Sequence, residues 1–183
     1  VTAAEIICAL QTIVSRNVTP TETAVISCTE IESDGAHNAI PSNVIIRGDT
    51  RSFTPEMSQL IEKRMEAICK HICEMNGLEC EFTYTHEFAP TFNWKDNVQY
   101  VVKAAKAVVG EEHVIENCPP TMGSEDFGHF IQNVPGCFVF LGSKRDGEEA
   151  IPLHNSCFDY NDDILVTGAE FFAELVRERL VKV

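Results

Sequence analysis

The chain has 183 residues, 44% of them hydrophobic and 23% charged, and carries a net charge of −14 from 14 basic and 28 acidic side chains. That composition is that of a globular chain of one ordinary or two small domains, and its acidity excludes a protein built to hold nucleic-acid phosphates and disfavours anionic membranes. No apolar run reaches the length of a membrane span, and no charged-then-apolar leader opens the chain at Val1.

Thr2-Ala3-Ala4-Glu5 has the form of a capping box, and Ile6, Ile7, Leu10, Ile13 and Val14 follow at helical spacing, predicting a helix over 3–16. Residues 23–31 are rich in β-branched side chains and predict a strand, closed by the turn chemistry of Ser33-Asp34-Gly35. A second strand is predicted over 44–51, with Ile45, Arg47, Asp49 and Arg51 sharing a face. Thr54-Pro55-Glu56 opens a helix whose stripe runs Met57, Ile61, Met65, Ile68, Ile72 and Met75, and Gly77 is placed to stop it. Residues 79–88 alternate, with Cys80, Phe82, Tyr84, His86 and Phe88 on one face, as in a half-buried antiparallel strand. In that setting His86 reads as a sheet histidine. The order helix–strand–strand–helix–strand is a ferredoxin-like βαββαβ plan short of its first strand.

Ala89-Pro90-Thr91 reads as a linker, which divides the chain into 1–88 and 89–183. Beyond it a helix is predicted over 96–109 with Gly110 at its end, then a short strand near 113–116. Ser124 is placed to cap a short helix to about Gln132, in which His129 reads as structural. The unbroken apolar run 137–141 predicts a strand covered on both faces, and 162–181 a final helix with Leu165, Ala169, Phe172, Leu175, Val176 and Leu180 inward. Helices alternating with short buried strands make this half α/β, so the whole is an α/β chain with an α+β first part.

Eight cysteines are scattered without paired CxxC motifs, as small reduced hydrophobes are in a cytoplasmic protein. Cys69 and Cys73 lie i,i+4 on the predicted helix; packing is the simpler reading, and a zinc site with Cys80 is the rival.

Five side chains can carry chemistry. His154, after Pro152-Leu153, can offer a neutral imidazole to a divalent metal or serve as a hydrogen-bonded loop residue. Ser124 and Glu125, followed by Asp126, can start a helix or line a site. Arg51 can grip a planar carboxylate through two parallel hydrogen bonds and Asn38 can both donate and accept, or they can be a surface arginine and a turn asparagine. Asp159, Asp162 and Asp163 read as helix caps.

The segments GSEDF and PLHNSCFDYNDD, with AEIICALQTIVSRN and HNAIPSNVIIRGDTRSF upstream, resemble the M20 metallopeptidases. The nearest branch is the amidohydrolases of N-acyl amino acids, hippurate and indole-acetyl amino acid conjugates. The resemblance implies that 1–88 is the lid or dimerisation domain and 89–183 the C-terminal portion of the catalytic domain. It implies His154 as a metal ligand, the GSED loop at the mouth of the metal cleft, and Asn38 and Arg51 presented to substrate, often from the partner subunit. It further implies two zinc or manganese ions per site, a small N-acyl amino acid or peptide-like substrate, and a homodimer formed through the lid. The general base and remaining ligands belong to the family's N-terminal half, so these residues alone are expected to be inactive. A non-catalytic dimerisation or binding module derived from the family is the alternative.

Overall fold

A computed structural model describes residues 1–180. Contacts divide the chain into two units: Val1–Pro90 with Met122–Glu125, and Thr91–Thr121 with Asp126–Val183, of which residues 181–183 lie outside the description.

In the first unit, α1 spans Thr2–Arg16 and α2 spans Pro55–Met75; between them β1 (Ala24–Ser33) and β2 (Val44–Ser52) pair antiparallel, from Ala24 opposite Ser52 to Ser33 opposite Val44. The ladder slips between Cys28 and Glu30, a bulge in which Thr29 is the extra residue and Gly48 lies opposite. Ile6, Leu10 and Ile13 from α1, Ile26 from β1, and Met57, Ile61 and Cys73 from α2 form the buried core. Ile13 and Ile61 are fully buried, each contributing about 1.5–3 kcal/mol relative to exposure. Thr54 caps α2 as its sequence predicts, its hydroxyl accepting from the Met57 amide at 3.2 Å. Met75, by contrast, is 75% exposed and leaves the predicted stripe at the last turn.

Three expectations for this unit are corrected. The capping box does not form: α1 already includes Thr2, and the Val1 carbonyl accepts from the Glu5 amide at 3.0 Å. The turn lies later than Ser33-Asp34-Gly35, since Ala36 and Ala39 exchange two backbone hydrogen bonds of 3.1 Å around His37 and Asn38. Residues 79–88 are not a strand, although Cys80 and Tyr84 do pack on the core. A strand exists through its ladder. Among the described residues no segment pairs with this one, and the sheet holds β1 and β2 alone.

The second unit contains α3 (Lys95–Val109), α4 (Phe127–Ile131) and α5 (Leu165–Arg179), with α3 packed along α5. Gly110 ends α3 at φ 87°. The predicted strand near 113–116 is instead preceded by a 3-10 turn at Glu111–His113 and does not form. Nor does the strand over 137–141: Phe140 is 69% exposed, and its segment is anchored by a side chain, since the Asn93 carboxamide donates to the Phe138 carbonyl at 2.9 Å and accepts its amide at 2.7 Å. Ser124 does not cap α4, whose N-cap position is Asp126. The last helix begins with a 3-10 turn at Asp162–Ile164, capped by Asn161, not by an aspartate, through the Asp163 amide at 3.2 Å. Asp159 instead pairs with Arg145 at 3.0 Å. Leu165, Phe172, Val176 and Leu180, expected inward, are exposed, and residue 181 of the predicted helix lies outside the described residues. No helix among the described residues is long and apolar enough to cross a membrane.

Candidate functional site

In the first unit, β2 places Arg51 one residue from its end, opposite Val25. Its Nε donates to Asp49 Oδ2 at 2.8 Å, and Nη1 donates to the Met122 carbonyl. Asp49 and Arg51 share a face because they are two apart on a strand. That pairing fixes the plane of the guanidinium, and the two contacts leave three of its five N–H donors. The side chain is 40% exposed, open enough to receive a ligand. On the neighbouring position, the Thr50 hydroxyl shares a 2.5 Å hydrogen bond with the Tyr84 hydroxyl, and Tyr84 stacks obliquely on His86 at 4.9 Å.

The Met122 contact draws the loop Met122–Glu125 to Arg51, so Ser124 and Glu125 belong to the same unit as the arginine. Ser124 is exposed and Glu125 half-buried. The structure therefore places Arg51, Ser124 and Glu125 in one unit, with Met122 the residue of that loop that Arg51 contacts.

Asn38 stands apart from them. It occupies the exposed turn at the tip of the β1–β2 hairpin, where Asp34 accepts from the Asn43 amide at 3.0 Å and from its carboxamide. The Asn43 amide holds the Asp34 carboxyl below its ordinary pKa. Arg51 lies near the far end of β2, which starts at Val44; the span from Val44 to Arg51 alone is roughly 23 Å at about 3.3 Å per residue.

In the second unit, His154 sits at the third position of a turn closed by the Asn155 amide on the Pro152 carbonyl at 3.3 Å. Its φ is 68°, which makes it the only non-glycine residue with positive φ among the described residues. A β-carbon in that region costs about 1–3 kcal/mol, and such conformations persist only where the surroundings impose them. Here the following loop does so: Asn155 Oδ1 accepts from the Cys157 amide at 2.8 Å, and its carbonyl accepts from the Phe158 amide at 3.0 Å. The imidazole is exposed.

Among the described residues, no group of three or more His, Cys, Asp or Glu side chains is arranged to hold a metal ion. His154 can supply one ligand of a shell and cannot form one alone. The zinc reading of Cys69, Cys73 and Cys80 is set aside by the same geometry: Cys73 is buried in the apolar core, and Cys69 and Cys80 pack against it. Asp49, Met122 and the Thr50–Tyr84 pair are the residues that sequence reasoning missed; only Asp49, two before Arg51 on an alternating strand, left a signal.

Residues 4–178 match the profile of the peptidase family M20/M25/M40. The chain is 34% identical over 178 residues to the hippurate hydrolase of Campylobacter jejuni, covering 97% of this chain and 45% of that protein. It is 31% identical over 185 residues to the IAA-amino acid hydrolase ILR1-like 4 of Arabidopsis thaliana, covering 98% of this chain and 42% of that protein. Among solved structures, it superposes with a TM-score of 0.74 and 25% identity on the YXEP protein of Bacillus subtilis, described as a dinuclear metal binding peptidase from the M20 family. That superposition covers 98% of this chain and 46% of the YXEP chain. The chain thus spans about half the length of the relatives it matches.

Proposed function

This chain belongs to the peptidase family M20/M25/M40, and from that membership we propose that it is the lid and C-terminal catalytic portion of a metal-dependent amidohydrolase acting on N-acyl amino acids or related conjugates. The observation that carries the reading is the strained turn at His154. A hydrogen-bonded loop histidine gains nothing from a left-handed backbone, whereas a ligand must be aimed, and misplacement by an ångström is costly. Similarity to a hippurate hydrolase and an IAA-amino acid hydrolase supports an amide joining an acyl group to an amino acid.

In this reading His154 gives one imidazole to a pair of divalent ions, zinc or manganese, whose other ligands and general base come from outside these 183 residues. Bound metal supplies activated water and polarises the amide carbonyl. Arg51, held flat by Asp49 and the Met122 carbonyl, receives the substrate's free carboxylate through its remaining donors. Ser124 and Glu125 follow on the loop that the Met122 contact tethers to Arg51. Asn38, in the exposed turn at the tip of the β1–β2 hairpin, serves the substrate of a second copy, in a homodimer paired through the first unit. The location proposed is cytoplasmic, in keeping with eight free thiols.

The test is release of free amino acid from hippurate and other N-acyl amino acids by the protein as its gene encodes it, before and after chelation. Activity lost on chelation and restored by zinc or manganese is expected. Undiminished hydrolysis by metal-stripped protein would overturn the proposal.

A further inference from the structure

Four of the eight cysteines meet in one place. Cys73 is part of the buried core of the first unit, and Cys28, Cys69 and Cys80 pack against that core, all as free thiols. The end of α2 explains how the last of them arrives. The Gly77 amide donates to the Glu74 carbonyl at 3.0 Å and the Leu78 amide to the Cys73 carbonyl at 2.9 Å, with Gly77 at φ 66°. This is the paired closure that turns a chain back over its own helix end. Cys80, two residues past Leu78, therefore runs back along α2 and packs on the core that holds Cys73. Cys69, one turn earlier, sits about 6 Å along the helix from Cys73 and is held there by the rigid helix.

We propose that Cys73 and Cys80 are a dithiol modification site, which closes to an internal disulfide at the expense of a low-molecular-weight disulfide of the glutathione class. The half-buried Cys80 reacts first: its thiolate attacks one sulfur of R–S–S–R, giving a mixed disulfide at Cys80 and releasing one small thiolate. The Cys73 thiolate then attacks the Cys80 sulfur, closing the Cys73–Cys80 bond and releasing the second small thiolate. Two electrons pass to the small disulfide, and the two protons lost from the protein thiols end on the two small thiols. Burial raises the Cys80 pKa, and the adjacent Cys73 adds to the rise, so the exchange accelerates with pH as the thiolate fraction grows. Cys69, pushed up to about 11 mainly by burial, is a spectator. Closure ties α2 to the segment whose Tyr84 is bonded to Thr50, the neighbour of Arg51.

The experiment treats native protein with oxidised glutathione at mildly alkaline pH, blocks the remaining thiols, and digests without reduction using trypsin and a glutamate-specific protease. Cleavage after Lys70, Glu74 and Glu79 puts Cys69, Cys73 and Cys80 on separate peptides. The expected product is a Cys73 peptide joined to a Cys80 peptide, lighter by two hydrogens than the pair of thiols, with Cys69 alkylated. Cys69→Ser keeps the cross-link and Cys80→Ser loses it. Alkylation of both Cys73 and Cys80 after oxidation, or a Cys69–Cys73 link in their place, would overturn the proposal; the wild-type digest decides this even if a variant fails to fold.

Discussion

Replacing Gly48 by alanine probes how tightly the bulged hairpin is specified, and the size of the effect follows from one approach. A β-carbon on Gly48 would stand 2.1 Å from the Ser27 carbonyl oxygen and 3.1 Å from the Cys28 α-carbon. Both obstacles are backbone, so no side chain can swing aside. Relief needs about 1 Å of separation between β1 and β2 at the bulge, which puts the adjacent ladder hydrogen bonds at risk. Overpacking costs about 1–3 kcal/mol, and each weakened hydrogen bond adds about 1 kcal/mol. The reduced entropy of the unfolded chain returns about 0.4–1 kcal/mol. The net loss is about 2–3 kcal/mol, read by urea denaturation as a midpoint lowered by roughly 1–1.5 M for an m value near 2 kcal/mol/M. Gly142→Ala, where an added β-carbon meets nothing within 4 Å, is the control and should change stability by less than ~0.5 kcal/mol. A Gly48→Ala protein as stable as the control would refute the reasoning.

Arg51→Ala should raise KM for substrates bearing a free carboxylate, with kcat much less affected; an unchanged KM removes Arg51 from the site. Arg51→Lys should rescue little, because an ammonium cannot reproduce the two-pronged grip. Cys69, with its pKa near 11, should react with iodoacetamide at pH 8 roughly 10²-fold more slowly than the exposed Cys8 or Cys118, and a comparable rate would refute its burial. Because that folded pKa is raised, the stabilisation is complete below the unfolded thiol value near 8.5 and is lost as pH climbs to about 11, so the first unit should weaken in alkali. His154→Gly should leave the melting temperature nearly unchanged or raise it, since glycine removes the strain of φ 68°, and a large destabilisation would show that the imidazole is structural.

Local chemistry was the most legible part of the fold. Thr54 with Pro55, Gly77 and Gly110 marked helix ends through groups that act within a few residues, and each marks an end in the structure. What the sequence could not show was whether a neighbour was present. The alternation at 79–88 reported which side chains are drawn to the core, and Cys80 and Tyr84 are packed there, yet a strand needs a ladder. The apolar run 137–141 and the stripe of α5 likewise state which faces want cover, while Phe140 and Phe172 stay exposed among the described residues. Thr2 and Glu5 had the right spacing for a capping box, and a helix that begins one residue earlier made it irrelevant. At the site, residue types were readable and their distances were not. Only the β1–β2 register shows that Arg51 lies at the end of the hairpin away from the turn that holds Asn38, and only the Met122 contact shows which loop meets Arg51. The φ of His154 was invisible to any pattern, because it departs from what histidine prefers.

The most direct test of the central claim is the metal content and hydrolytic rate of His154→Ala, measured side by side with the unaltered protein as its gene encodes it. The account predicts that metal stoichiometry and N-acyl amino acid hydrolysis fall together while circular dichroism stays native. Full metal occupancy with full activity in the variant would contradict it.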